Sequence, residues 1–145
     1  MSFFGSMDTS ASGLTAQRLR LDIISQNIAN ATTTRTPEGG PYKRKAVIFE
    51  TINNEESFNS VLNKYTDSKN NGVRVSQIID DNKPFPVIYD PTHPDADAKG
   101  YVQLSNVNMV EEMVNMISAS RSYESNVTTF NTMKAMVSKA LEIGK

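Results

Sequence analysis

The one histidine of the chain, His93, lies near Asp90, Asp95 and Asp97, and this loop is where the sequence could carry metal or acid–base chemistry. A zinc site needs three or four ligands at defined spacing, which one histidine among loop aspartates does not provide. A calcium loop that begins at Asp95 also fails, because its twelfth position is Asn106 rather than a bidentate glutamate. Closely spaced prolines and aspartates are typical of a turn, and a turn is the structure predicted here.

Other arrangements that carry chemistry are not found in the sequence. No serine has a histidine and an acid at a recognisable spacing, and no glycine-rich loop opens a helix to hold a phosphate. The carboxylate pairs Asp80-Asp81 and Glu55-Glu56 are expected on the solvated surface, and the basic run 43–45 is expected on an exposed strand edge. We therefore predict that the protein is not an enzyme and has no cofactor and no metal. A metal-dependent hydrolase built on His93 is the weakest alternative.

Size and composition limit the remaining classes of function. The chain has 145 residues, enough for one ordinary domain, and its 15 basic and 16 acidic residues nearly balance. It therefore has no excess of one charge to attract nucleic acid or an anionic membrane. There is no cysteine, so disulfides and thiolate metal sites are excluded. The first residues do not form a secretory signal peptide, and no apolar run is long enough to span a bilayer.

The stretch from Asn106 to Ile143 contains neither proline nor glycine and is predicted to be one long helix. Asn108 has the side chain of an N-cap, with Glu111 three residues later. Apolar residues recur every seven positions, which indicates a helix stripe that packs along another helix. The main row is Met109, Met116, Tyr123, Phe130 and Val137, and a second row is Met113, Val127 and Leu141.

A second helix is predicted near the other end, from about Ser6 to Thr32. It repeats the seven-residue spacing and ends at a run of threonines followed by Pro37. The repeating residues are Met7, Leu14, Leu21 and Ile28, with Ala11 and Ile24 on the same face. Between the two helices, residues 42–52, 72–79, 85–89 and 100–104 are predicted strands, and residues around 58–65 could form two amphipathic helical turns.

The predicted fold is mainly α with a small β insertion, in which the N- and C-terminal helices form a coiled coil. The expected domains are 1–34 and 105–145, which together make the coiled coil, and 35–104, which makes the β-rich middle. Between Val107 and Ile117 the long helix is apolar on two faces, so it is expected to contact more than one neighbour. Packing between subunits is therefore favoured, although a soluble helical adaptor or export chaperone that binds a partner helix stays open.

Two motifs at the ends of the chain resemble one protein family. The run from Ser25 to Thr32, centred on Asn27-Ile28-Ala29-Asn30, resembles the N-terminal signature of the bacterial flagellar rod and hook proteins. The runs 112–117 and 121–126 are similar to the C-terminal signature of that family. The segments 35–45 and 89–97 resemble one of its short rod members. The resemblance covers both ends and much of the middle, and 53–71 matches least.

The resemblance implies a non-enzymatic structural subunit of the axial rod in the flagellar basal body. Its implied partners are other rod proteins, copies of itself and the flagellar type III export apparatus, with no nucleic acid, no small-molecule substrate and no membrane insertion. Export would proceed without a cleaved signal peptide. The terminal helices would then line a hollow helical tube that transmits torque. A long helix with uncovered faces would become ordered when the subunit assembles.

The assembly interface is expected to use residues of both helices. Asn27 and Asn30 are expected to bond to backbone or to a neighbour near the helix end, and Arg121 is a candidate for an ion pair between subunits. The full set is Leu14, Leu21, Asn27, Ile28, Asn30, Met109, Met113, Met116, Ile117, Arg121, Tyr123, Val127, Phe130 and Val137.

Overall fold

The computed structural model describes residues 3–52 and 72–143. Within them, helix α1 spans Phe3–Ala29 and helix α2 spans Met109–Ile143. Four short strands lie between the helices: β1 at Lys45–Thr51, β2 at Val73–Asp80, β3 at Val87–Tyr89 and β4 at Tyr101–Gln103. The helical turns predicted around 58–65 and the carboxylates Glu55 and Glu56 lie outside the described residues. The two helices and the four strands predicted from the sequence are confirmed.

Helix α1 tightens as it ends. The Asn30 amide still bonds four residues back to Gln26, whereas the Ala31 amide bonds only three residues back to Ile28. The three threonines that follow are β-branched and lose side-chain freedom in a helix, and Pro37 lacks the amide that a helix needs. The chain therefore leaves the helix at Ala29, three residues before the predicted end at Thr32.

Strands β1 and β2 pair in a two-stranded sheet. The Ile52 amide donates to the Gly72 carbonyl at one end (2.8 Å), and the Asp81 amide donates to the Arg44 carbonyl at the other (2.7 Å). Because the pairing runs in opposite senses along the two segments, the strands are antiparallel. The first residue of β2 is also tied to α1, since the Val73 amide donates to the Ser12 hydroxyl at 3.0 Å.

Strands β3 and β4 form a second antiparallel pair, in which Ile88 lies opposite Val102. Val102 is buried, and the rings of Tyr89 and Tyr101 meet edge to face at 5.3 Å on the other side of the pair. Gly100 lies immediately before β4 and has φ +81°, and a Cβ there would lie 2.9 Å from the Tyr89 ring. Glycine is therefore required at this corner by both backbone angle and space.

The predicted turn between β3 and β4 is confirmed. The Asp90 carboxylate accepts hydrogen bonds from the amide (3.0 Å) and hydroxyl (2.6 Å) of Thr92, and these bonds lower the pKa of Asp90. His93 accepts the Asp95 amide through Nδ1 (3.1 Å). Among residues 3–52 and 72–143, no group of three or more His, Cys, Asp or Glu side chains is placed to hold a metal ion.

Helix α2 begins as its sequence predicts. The Asn108 side-chain oxygen accepts the amides of Val110 (3.1 Å) and Glu111 (3.4 Å), which is the geometry of an N-cap. The helix then continues for 35 residues, or roughly 50 Å at 1.5 Å per residue. Neither this helix nor α1 is long and apolar enough over its described length to cross a membrane.

The described residues divide into two compact units, and each unit takes part of both helices. One unit contains 3–19, 49–52, 72–76 and 119–143. The other contains 20–48 and 77–118. The fold is thus mainly helical with a small antiparallel β part, as predicted.

Small and polar side chains are prominent among the buried positions of the two helices. In α1 the buried residues are Ser10, Ala16, Ile23, Ile24 and Asn27, and in α2 they are Glu112 and Ala119. The second apolar row predicted for α2 is not the buried row within this chain, because Met113 and Leu141 are 48% and 70% exposed. Small residues let two helix backbones approach closely, and apolar periodicity alone does not identify them.

Candidate assembly site

The structure distributes the predicted interface residues over three levels of exposure. Asn27 is fully buried. Those half-buried are Leu14, Leu21, Ile28, Asn30, Met116, Tyr123, Val127, Phe130 and Val137, and those exposed are Met109, Met113, Ile117 and Arg121. Side chains of the first two groups are wholly or partly covered by the chain itself, and those of the third are available to a neighbour.

Asn27 lies two residues before the end of α1, and its amide is fully used within the chain. Its nitrogen donates to the Lys45 carbonyl (2.8 Å) and to Glu112 Oε2 (2.9 Å). Its oxygen accepts the Lys45 amide (2.9 Å) and the Tyr42 hydroxyl (3.1 Å). An asparagine side chain has two N–H donors and two acceptor lone pairs, so its hydrogen-bonding capacity is saturated. Asn27 therefore joins α1 to the start of β1 and to α2.

Asn30, one turn further on, makes only local bonds. Its nitrogen donates to the Gln26 carbonyl (2.9 Å), and its oxygen accepts the Thr33 hydroxyl (3.2 Å). These contacts close the end of α1 and use the side chain as a C-terminal cap. The two asparagines of the same motif thus have different partners, one across the fold and one within its own turn.

Glu112 is the buried carboxylate of α2 that accepts the hydrogen bond from Asn27 of α1. The sequence did not predict this role. The carboxylate is 0% exposed, and its Oε1 accepts both Nε (3.0 Å) and Nη2 (2.7 Å) of Arg44. The Asn115 amide adds a longer bond of 3.4 Å to the same oxygen. Burying a carboxylate is costly unless it is paired and hydrogen-bonded, and Glu112 meets both conditions.

Arg44 is held at several points. Its backbone amide donates to Asn106 Oδ1 (2.7 Å), and its Nη1 lies 3.5 Å from Asp81 Oδ2. Asn106 in turn donates to the carbonyls of Asp81 (2.9 Å) and Lys83 (3.1 Å). These contacts correct two predictions, because Arg44 is not on an exposed edge and Asp81 is not fully solvated: each side chain is 19% exposed. We call Asn27, Tyr42, Arg44, Asp81, Asn106 and Glu112 the Arg44 cluster.

The charges of the Arg44 cluster support one another. Burial lowers the pKa of Arg44, but its hydrogen bond to Glu112 and the negative charges of Glu112, Glu111 and Asp81 outweigh burial, so the pKa is raised. The guanidinium therefore stays charged. It neutralises a carboxylate that has no access to water.

The environment of the Tyr42 hydroxyl predicts how the stability of the fold depends on pH in the alkaline range. Burial and the negative charges of Asp80 and Glu112 raise its pKa, because all three disfavour the phenolate. A raised folded-state pKa gives stability that is complete below the unfolded value of about 10 and is lost as the pH rises through the folded value. In urea unfolding, the wild type should lose more stability than Tyr42→Phe between about pH 9 and 11. Equal losses in the two proteins would contradict this assignment.

Asn27→Asp should destabilise the fold although it keeps the shape of the side chain. The change removes two donors and places a carboxylate where Asn27 Nδ2 now lies 2.9 Å from Glu112 Oε2. Two adjacent carboxylates raise the pKa of one of them, so the loss of stability should grow as the pH rises from about 4 to 7. We expect about 2–4 kcal/mol at pH 7 by urea unfolding.

The control for that change is Asn30→Asp, which alters a local cap in the same motif. It should cost no more than about 1 kcal/mol, with little dependence on pH. If the two variants lost equal stability, the bond between Asn27 and Glu112 would have no special importance.

The first turns of α2 carry an exposed apolar face. Val110, Val114 and Ile117 are 71%, 62% and 55% exposed, and Met109 and Met113 lie beside them. Spacing of three and four residues places them along one side of the helix. An apolar surface of this kind on a small protein commonly marks an interaction site. The sequence predicted the two faces of this segment.

Family models match both ends of the chain. The model for flagella basal body rod protein matches residues 7–35, and the model for the C-terminal part of the flagellar basal body rod FlgEFG proteins matches residues 98–143. The first match contains Asn27, and the second contains Asn106 and Glu112. The matched segments therefore include the residues that α1, the segment before α2 and α2 itself contribute to the Arg44 cluster.

Relatives match along the full length. The flagellar basal-body rod protein FlgC of Borreliella burgdorferi is 51% identical, over 99% of this chain and 98% of the relative. FlgC of Bacillus subtilis is 49% identical, and FlgC of Escherichia coli O6:H1 is 40% identical, each over 100% of both chains. The chain belongs to the flagellar basal-body rod protein family and is a structural subunit of the rod rather than an enzyme.

Proposed function

We propose that this chain is a subunit of the proximal rod of the bacterial flagellum, built into a hollow helical tube through its terminal helices. The observation that carries this proposal is the match to FlgC proteins over the whole chain, including both helices and the middle segment. In this proposal the tube transmits torque and serves as a channel for export. Its partners are other rod proteins and further copies of this chain.

The proposed rod domain pairs residues 1–34 with 105–145 as a coiled coil, with 35–104 as a separate middle domain. One contact in each compact unit supports the pairing. In one unit, a Cβ on Gly13 of α1 would lie 3.0 Å from the Asn126 amide nitrogen of α2. In the other unit, Asn27 donates to Glu112. Glycine lets the two helix backbones come close, and the buried hydrogen bond joins them.

The proposed contact with a neighbouring subunit is the exposed face of Val110, Val114 and Ile117, continued by Met109 and Met113. A contact between two different surfaces generates a helical assembly when its rotation does not close into a ring, and the proposal takes this open case. Arg121 is exposed one turn beyond Ile117, where it could pair with an acidic residue of the next subunit. The half-buried residues of the predicted interface would then support the face from within the subunit.

We also propose that the subunit is exported by the flagellar type III apparatus without a cleaved signal peptide, and that its terminal helices become fully ordered on assembly. The exposed apolar face supports this, because a helix gains stability when such a face is covered. Far-UV circular dichroism of the purified chain at micromolar concentration tests the second part. Incomplete helicity is expected, and full helicity would contradict it.

A strain that lacks this chain tests the assignment to the proximal rod. Electron microscopy of its basal bodies should show the membrane-embedded base without a rod, and expression of the chain from a plasmid should restore rods and swimming. A deletion strain with complete rods and normal swimming would overturn the assignment.

A further inference from the structure

The apolar rows of the two helices leave their alignment ambiguous. Both rows repeat every seven residues, as in Leu14 and Leu21 of α1 and Met116 and Tyr123 of α2. If one helix slid by seven residues along the other, apolar side chains would again meet apolar side chains. Seven-residue patterns in paired helices have this general weakness, and a single buried polar residue can remove it.

We infer that the Arg44 cluster determines the register of α2 against α1, an inference that rests on the helix pairing proposed above. Glu112 has no equivalent one repeat away: the residues seven positions before and after it are Ser105 and Ala119. Neither can neutralise a guanidinium. A slipped register would therefore take the Glu112 carboxylate away from Arg44 Nε and Nη2 and from one Asn27 donor. The guanidinium would keep only its 3.5 Å contact with Asp81, which is costly for a largely buried charge.

The backbone groups of Arg44 and Lys45 fix the positions of the two helices within the Arg44 cluster. Asn27 of α1 binds both the amide and the carbonyl of Lys45, and Asn106, which lies just before α2, binds the amide of Arg44. Backbone groups cannot follow a sliding helix by a change of rotamer. The end of α1 and the segment just before α2 are thus both hydrogen-bonded to the backbone of Arg44 and Lys45, where β1 begins.

A second point of contact lies in the other unit and supplies a readout. Asn126 of α2 lies so close to Gly13 of α1 that a Cβ on the glycine would be 3.0 Å from the side-chain nitrogen Nδ2 of Asn126. One repeat away on α2, the corresponding residues are Ala119 and Met133. A one-repeat slip would therefore bring one of these residues, instead of Asn126, next to Gly13.

Cysteine cross-linking of the full chain can measure the register, because the wild-type sequence has no cysteine. Gly13→Cys is combined in turn with Asn126→Cys, Ala119→Cys and Met133→Cys, and each pair is treated with a short bifunctional thiol reagent. In the otherwise wild-type chain the first pair should react at least about tenfold more than the other two. Failure of the first pair to react in a chain whose far-UV circular dichroism shows both helices to be formed would overturn the helix pairing itself.

An apolar replacement of the cluster separates register from stability. Arg44→Met and Glu112→Met together remove the ion pair between these two residues, while Asn27 keeps its bonds to the Lys45 backbone and to Tyr42, and replacing a whole ion pair by apolar residues is often neutral or stabilising. The urea midpoint and helix content should be retained, whereas cross-linking should spread from the first pair to Ala119→Cys or Met133→Cys. Retention of the first pair alone would overturn the register inference while leaving the helix pairing intact.

A relocated carboxylate keeps the test valid if the apolar variant does not fold. Glu112→Ala with Ala119→Glu moves the acceptor by one repeat, so α2 should slip and the reactive pair should change from Asn126→Cys to Met133→Cys. The control is Glu111→Ala, in which an exposed carboxylate is removed beside an intact Glu112. Unchanged preference for Asn126→Cys in the relocated variant would overturn the inference.

Discussion

Glu112→Ala is expected to destabilise the purified chain by about 3–5 kcal/mol, measured by urea unfolding with circular dichroism and tyrosine fluorescence. The substitution leaves Arg44, with its side chain 19% exposed, without the carboxylate that accepts two of its nitrogens. It also leaves one Asn27 donor without an acceptor inside the protein. Since small domains are stable by only about 5–15 kcal/mol, a large part of the folded population would be lost.

The neighbouring exposed carboxylate is the matched control. Glu111→Ala removes the same charge from the same helix turn, and it should cost at most about 1 kcal/mol through the helix dipole. Glu112→Gln should lie between the two, because it keeps the shape and part of the hydrogen bonding but loses the charge. Equal stability of the Glu111 and Glu112 alanine variants would show that the Arg44 cluster does not stabilise the fold.

Phe130→Asp in α2, and equally Tyr123→Asp, should abolish motility and leave basal bodies without a rod. Both aromatic side chains are half-buried on the main apolar row of the helix. Replacing a fully buried ring by a smaller side chain costs about 3–5 kcal/mol, so a half-buried ring should cost less, and the new carboxylate adds a desolvation cost wherever the row is covered. The measurements are swimming in soft agar and electron microscopy of purified basal bodies.

Asn131→Asp provides the control for Phe130→Asp. It adds one negative charge at the next residue, which is exposed, and keeps the shape of the side chain. Strains with this variant should swim normally. If both variants swam normally, the apolar row would not be required for assembly. If both failed, the added charge rather than the loss of the ring would be the cause.

The ends of the elements could be predicted because they depend on local chemistry. Asn108 caps α2 through its own side chain, and the threonines before Pro37 end α1 without help from distant residues. The strands followed from β-branched and aromatic runs between turns. Each signal lies within a few residues of the feature it predicts, so the sequence alone was sufficient.

The Arg44 cluster could not be predicted, because it joins distant residues whose local patterns indicate something else. Glu112 follows an N-cap, where a glutamate normally needs no partner beyond the helix dipole. Arg44 lies in a basic triplet that resembles an exposed strand edge. A signal was present in the motif that contains Asn27, since a polar residue within an apolar helical face must find partners when it is buried. The motif did not identify those partners.

The hydrogen bond between Asn27 and Glu112 also closes a long loop of the chain, since it connects residues 85 positions apart. Small domains often close such long loops with a disulfide, which restricts the unfolded chain permanently and requires an oxidant to form. Here the closure is made by hydrogen bonds and one ion pair in a chain without cysteine. It can be opened completely and formed again with no change of oxidation state, so refolding of the fully unfolded chain needs no oxidant.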